Sequence, residues 1–116
     1  MRLGPFVVLT LLATPLAAQS PDTRAVLAVA HTTVTADTNV TKVISGADTA
    51  TVRRSTRFPV TAQLDVPVVR GDSAHVYLTK RWDMGGPRAY VERSRLTLVR
   101  RGGAWVVVKD DLVAIS

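Results

Sequence analysis

The sequence predicts an α+β domain in which one N-terminal helix packs on a curved, four- to six-stranded antiparallel meander sheet, after a cleaved leader. Three observations carry this expectation. From Phe58 to Ser116, apolar and polar residues alternate, and glycine turns interrupt them three times. Ahead of that stretch, Ser20-Pro21-Asp22 opens a segment in which Ala25, Val26, Val29 and Ala30 recur at helical spacing. Residues 1–18 run from a positive charge through an apolar stretch to small residues, the order of a secretory signal.

The bulk properties set bounds. A chain of 116 residues makes one domain. With 47% apolar and 21% charged residues it can bury a core and does not read as disordered. It has no Cys, which excludes a disulfide framework, a thiol nucleophile and thiolate zinc sites. The net charge is +6, and Arg outnumbers Lys twelve to three. A high-GC bacterial source accounts for that bias as well as a binding role does. Charge of this kind speaks to solubility and partners rather than fold.

In order along the chain, Arg2 is the positive start of the leader and Leu3 to Leu12 is its apolar run. Leu16-Ala17-Ala18 before Gln19 fits cleavage between Ala18 and Gln19, and the apolar run is short of the ~20 residues that span a bilayer. The division is therefore a signal peptide over 1–18 and a single small domain over 19–116, with no membrane span after cleavage. A helix is expected over 21–31, with Ser20 as cap, Pro21 in the first turn and Asp22 at the positive end of the dipole. Residues 31–56 are ambiguous. They are rich in Thr and Val, as strands are, yet Val40, Val43, Ile44 and Ala47 follow helical spacing. Short strands over 41–45 and 49–53, split at Gly46, are the reading adopted.

From Val60 the alternation is regular, and Pro67 marks an edge or an early end. Strands follow over 74–82, 90–100 and 104–115, with Asp110-Asp111 placed as a bulge in the last. A two-residue loop at Gly102-Gly103 sets Leu98 opposite Val107 and Val99 opposite Val106. An odd loop at Gly85 sets Val76 opposite Leu96, Trp82 opposite Tyr90 and Lys80 opposite Glu92, the last as an ion pair. One face then carries Val76, Leu78, Trp82, Tyr90, Leu96, Leu98, Trp105 and Val107, for the helix to cover. The other carries His75, Tyr77, Thr79, Arg81, Val91, Arg93, Arg95, Thr97 and Val99.

The ending, Tyr90-Val91-Glu92-Arg93 through Leu96-Thr97-Leu98-Val99-Arg100, a glycine turn and Trp105-Val106-Val107-Val108-Lys109, resembles the paired last strands of the cystatin-like and nuclear-transport-factor-like (SnoaL-like) superfamily. The resemblance covers about residues 72–115. It implies helices packed into a curved sheet around a cone-shaped pocket, in folds that include polyketide cyclases and ketosteroid isomerases beside many binding and dimerising domains. No pair of acidic residues here matches an isomerase, so it assigns no catalytic residue.

Candidate chemistry is sparse. Asp72, Ser73 and His75 are adjacent on one turn, whereas working triads converge from distant segments. His31, the other histidine, suits a helix end. Asp83, beside Gly85-Gly86, could serve as a base at a pocket rim, but a turn Asp capping its own backbone explains it as well. Two adjacent acids, Asp110-Asp111, supply too few oxygens for calcium. Arg70-Gly71-Asp72 matches an integrin-binding pattern, but Gly-Asp is ordinary turn chemistry, and Asn39-Val40-Thr41 fits a glycosylation pattern that matters only in a eukaryotic source, which the Arg-rich composition does not favour. The one feature with quantity behind it is basic: Tyr77, Arg81, Arg93 and Arg95 share a face, where Arg offers flat bidentate contacts to anions. With Asp83 these four form the ligand-binding candidate set. No metal and no cofactor is expected.

Three readings follow, in order. The first is a secreted or periplasmic, non-enzymatic binding or interaction module for a small ligand or protein, with a homodimer through the exposed sheet face as one form. The second is a small-ligand-binding or enzymatic pocket of the cone-shaped class. The third is an anion- or polyanion-binding surface. A cavity near 300 Å³ between helix and sheet, walled by Asp83, Tyr77 or His75, would mark the second.

Overall fold

A computed structural model describes residues 20–53 and 58–116. The leader, with its Ala18/Gln19 cleavage site, lies outside the described residues. The described residues form one helix and seven strands: α1 (Pro21–Thr35), β1 (Val40–Ser45), β2 (Asp48–Thr51), β3 (Val60–Leu64), β4 (Val68–Arg70), β5 (Ser73–Asp83), β6 (Ala89–Arg101) and β7 (Ala104–Ile115). All seven strands join one sheet in the order β2-β1-β3-β5-β6-β7, and β4 extends the β3 side of β5.

This corrects the expected four- to six-stranded antiparallel meander. The sheet has seven strands and is mixed, because β1 and β3 run parallel, with Val43 opposite Ala62. After β1 the chain turns into β2 on one side of it, then crosses back to start β3 on the other. The crossing segment is pinned at Thr41, whose carbonyl accepts the N–H groups of Val52 at 2.8 Å and Arg53 at 3.3 Å. The Arg53 guanidinium then donates from Nη1 to the carbonyls of Asp37 and Val40, both at 2.9 Å, and from Nη2 to that of Thr35 at 3.1 Å. A helix leaves its last carbonyls without intrahelical partners. The last turn of α1 holds no basic residue. A cation from the crossing segment takes that place.

The helix begins as expected. The Ser20 hydroxyl accepts the N–H of Thr23 at 3.1 Å. It ends four residues later than expected, at Thr35 rather than 31. The Thr-rich end resembles a strand in sequence, but Thr32 and Thr33 donate their hydroxyls to Ala28 and Val29 carbonyls one turn back, at 3.1 and 2.9 Å. Val34 then falls on the buried stripe with Val26, Leu27 and Ala30.

That stripe packs on Val40, Val43, Val60, Ala62, Leu64, Val76, Leu78, Leu96 and Leu98, all buried. Arg100 closes the N-terminal end of the interface. Its Nη2 lies 2.9 Å from Asp22 of α1, its Nε lies 3.3 Å from Asp72 without an aligned hydrogen bond, and its guanidinium stacks on Trp105 at 4.8 Å. The reading of the β5–β6–β7 register holds: Val76 faces Leu96, Trp82 faces Tyr90, Leu98 faces Val107 and Val99 faces Val106. The bulge does not fall at Asp110-Asp111. Register shifts leave Val108 and Val113 as the extra residues of β7. The strand beginning at Val60 stops at Leu64 and resumes as β4 after Pro67, the early end that a residue lacking an N–H imposes.

If Arg53 holds the crossing together, Arg53→Met should cost about 2–3 kcal/mol, since its bonds are charge-assisted and half-buried. Urea denaturation should show that loss for Arg53→Met, against a change within about 0.5 kcal/mol for the exposed Arg101→Met.

Candidate functional site

The five ligand-binding candidates do lie on one face of the sheet, the face opposite α1, but they do not converge. Arg93 is held on three sides. It donates to Asp65 at 3.0 Å and Thr79 at 3.1 Å, and its guanidinium lies 4.7 Å from the Tyr77 ring. Tyr77 in turn meets His75 edge-on at 5.7 Å. Arg95 lies 3.9 Å from Asp111 of β7. These three side chains are spent within the sheet. Arg81 stands apart, in a shallow cleft of ≈ 260 Å³ that it shares with Thr61, Asp83, Gly86, Arg88 and Ala89.

The adjacent Asp72, Ser73 and His75 do not form a triad. Asp72 pairs with Arg100, Ser73 donates to the Arg70 carbonyl at 3.1 Å, and His75 packs on Tyr77. Asp83 Oδ1 accepts the Gly85 N–H at 3.0 Å, the self-capping turn expected of it. Lys80 and Glu92 are register partners, but the expected ion pair between them is replaced. Lys80 lies 3.7 Å from Asp37 after α1, and Glu92 accepts the Tyr90 hydroxyl at 2.9 Å. Among the described residues no group of His, Asp and Glu could hold a metal ion.

A slightly larger opening lies elsewhere. The centre of the helix–sheet interface is filled, but its β2 side is not. There a cleft of ≈ 290 Å³ runs between Arg24, Leu27, Ala28 and His31 of α1 and Val43, Ser45, Asp48 and Ala50 of the β1–β2 hairpin. The four helix residues are spaced i, i+3, i+4, i+7, so they line one side of α1. Leu27 and Val43 are buried and form the floor, while Arg24, Ala28, Asp48 and Ala50 are exposed at the mouth. The hydroxyl of Ser45 is buried at this wall with no hydrogen-bond partner. A buried hydroxyl without a partner costs about 1–3 kcal/mol.

Asp83, Tyr77 and His75 do not wall this cleft. Its residues escaped the sequence reading because the hairpin was ambiguous there. The available signal was the helix face Arg24, Ala28, His31, too polar and too small to be core. Comparison of the chain with family models, curated proteins and solved structures finds no match.

The Tyr90–Glu92 contact has a measurable consequence. The hydrogen bond to Glu92, then partial burial and the charge of Glu92, raise the Tyr90 pKa above its ordinary value. Folding thus favours the protonated phenol. The contribution is whole below the ordinary tyrosine pKa and is lost as pH rises through the raised one. Ultraviolet phenolate titration should place the Tyr90 midpoint above the ordinary tyrosine value, and Glu92→Gln should move it down.

Proposed function

We propose that this protein is a non-enzymatic binding module of the secreted or periplasmic compartment, taking a small amphipathic molecule into the cleft between α1 and the β1–β2 hairpin. The observation that carries the reading is a concave cleft with an apolar floor, Leu27 and Val43, and polar residues, Arg24, His31, Ser45 and Asp48, around it. Small-molecule sites are concave and mostly apolar, with a few placed polar groups, and this cleft lies at the small end of their range. Leader-like residues 1–18 support the compartment. Among the described residues no helix is long and apolar enough to cross a membrane.

Binding is favoured over catalysis by the state of the polar groups. Ser45, His31 and Asp48 all line the cleft, and they are the residue types of a nucleophile, a base and its orienting acid. Yet Ser45 Oγ has no hydrogen-bond partner, so it makes no contact with a base that would activate it.

Titration with N-phenyl-1-naphthylamine, an apolar fluorophore, tests the reading. The full chain should enhance its emission saturably. Ala28→Trp and Ala50→Trp, which fill the mouth from either wall, should each weaken binding about tenfold or more while melting at nearly the wild-type temperature. Enhancement that survives both substitutions in folded protein would place the fluorophore elsewhere and defeat the proposal.

A further inference from the structure

A second cleft, on the face of the sheet away from α1, has a different chemistry. β3 and β5 place Thr61 directly opposite Arg81, and Asp83 pairs with Ala89 across the β5–β6 turn. Thr61, Arg81, Asp83 and Ala89 therefore project from one face. The turn between them uses Gly85 and Gly86 at φ 80° and 67°, conformations that cost other residues energy. It brings Arg88 back beside Arg81 to line the same ≈ 260 Å³ cleft.

The charges on this face are not equally committed. Arg93 is matched by Asp65 and Arg95 by Asp111. Arg81 and Arg88 have no ion-pair partner among the described residues, and the one carboxylate in their cleft, Asp83, is held by Gly85. Two guanidinium groups flanking a concavity with a hydroxyl beside them suit a tetrahedral oxyanion. Each guanidinium can present two parallel N–H donors to its oxygens.

We propose that this cleft binds the phosphate or sulfate group of a hydroxyl-bearing molecule, a sugar phosphate or sugar sulfate. Arg81 and Arg88 take the oxyanion. The remaining oxygen of Asp83 and the Thr61 hydroxyl meet the hydroxyl groups of the body that carries it. A carboxylate among cations repels a bare anion but accepts hydrogen bonds from hydroxyls. It is therefore Asp83 that favours an ester over a free oxyanion. The site is independent of the amphiphile cleft, which lies on the other face and shares no lining residue with it.

The test is a ¹H–¹⁵N NMR titration of the full chain with ribose 5-phosphate, inorganic phosphate and, at matched ionic strength, sodium chloride. Ribose 5-phosphate is expected to move the amides of Thr61, Gly86 and Ala89 saturably, and to bind more tightly than inorganic phosphate. Arg81→Gln and Arg88→Gln should each weaken it about tenfold, the worth of one charge-assisted contact. Arg95→Gln, on the same face but paired with Asp111, should bind as wild type does. Asp83→Asn should narrow the gap between the two phosphates. Shifts reproduced by chloride, or equal losses in all three arginine variants, would overturn the site in favour of a diffuse basic surface. Equal affinity for the two phosphates would overturn the role given to Asp83 and Thr61.

Discussion

The arrangement depends on how the carbonyl oxygens at the end of α1 are satisfied. Thr35, Asp37 and Val40 carry them through the bend from helix to first strand, and a single guanidinium, Arg53, gathers all three. Buried or half-buried backbone carbonyls need partners. The partner here comes from the segment that crosses β1 to begin β3. One side chain thus closes the helix, fixes the start of β1 and directs the chain into a parallel pairing. The hairpin β1–β2 is displaced to the far edge of the sheet by that crossing, and a gap is left where the helix does not reach it. The amphiphile cleft is that gap.

The other faces follow from how far one helix can cover seven strands. α1 lies across the sheet from β1 to the start of β7, where Trp105 is buried. The far part of β7 lies past the helix, and Leu112 and Ile115, on the same side as Leu96, stay more than half exposed. β7 is also an edge strand, open to pairing with another chain. Two bulges and the adjacent Asp110-Asp111 stand against such pairing. A strand in regular antiparallel contact with its own copy here would bring like charges together. The face away from α1 is instead stabilised by short-range pairing, Asp65 to Arg93 and Asp111 to Arg95, while Arg81 and Arg88, like Arg70 at the other end of β5, have no ion-pair partner among the described residues.

The β5–β6–β7 meander was legible because its register is local. Glycine turns of countable length fix which residues face each other, and Val76–Leu96, Trp82–Tyr90 and Leu98–Val107 pair as those lengths require. The first third was not legible, for two reasons. Val40 and Val43 sit three apart on one buried face because Thr41 is an extra residue against β3, so a bulged strand imitates helical spacing. The parallel step leaves no local mark either, since it is enforced by Arg53 reaching across more than a dozen residues. Of the site candidates, Asp83 was found through the glycine turn beside it and Arg81 through the basic face, and the two share a cleft. Tyr77, Arg93 and Arg95 were found by the same signal and are consumed by neighbours. Asp65, which neutralises Arg93, looked like any polar position of an alternating strand.

The most direct test of the central claim, that the crossing opens a ligand cleft beside the helix, is a methyl-resolved ¹H–¹³C NMR titration of the full chain with decanoate. The methyl groups of Leu27, Ala28, Val43 and Ala50 should shift together and saturate, with those of Leu96 and Leu98 unmoved in the core. Shifts confined to Leu112 and Ile115, or none at all, would contradict it. The gap between α1 and the hairpin would then be a feature of packing and not a site.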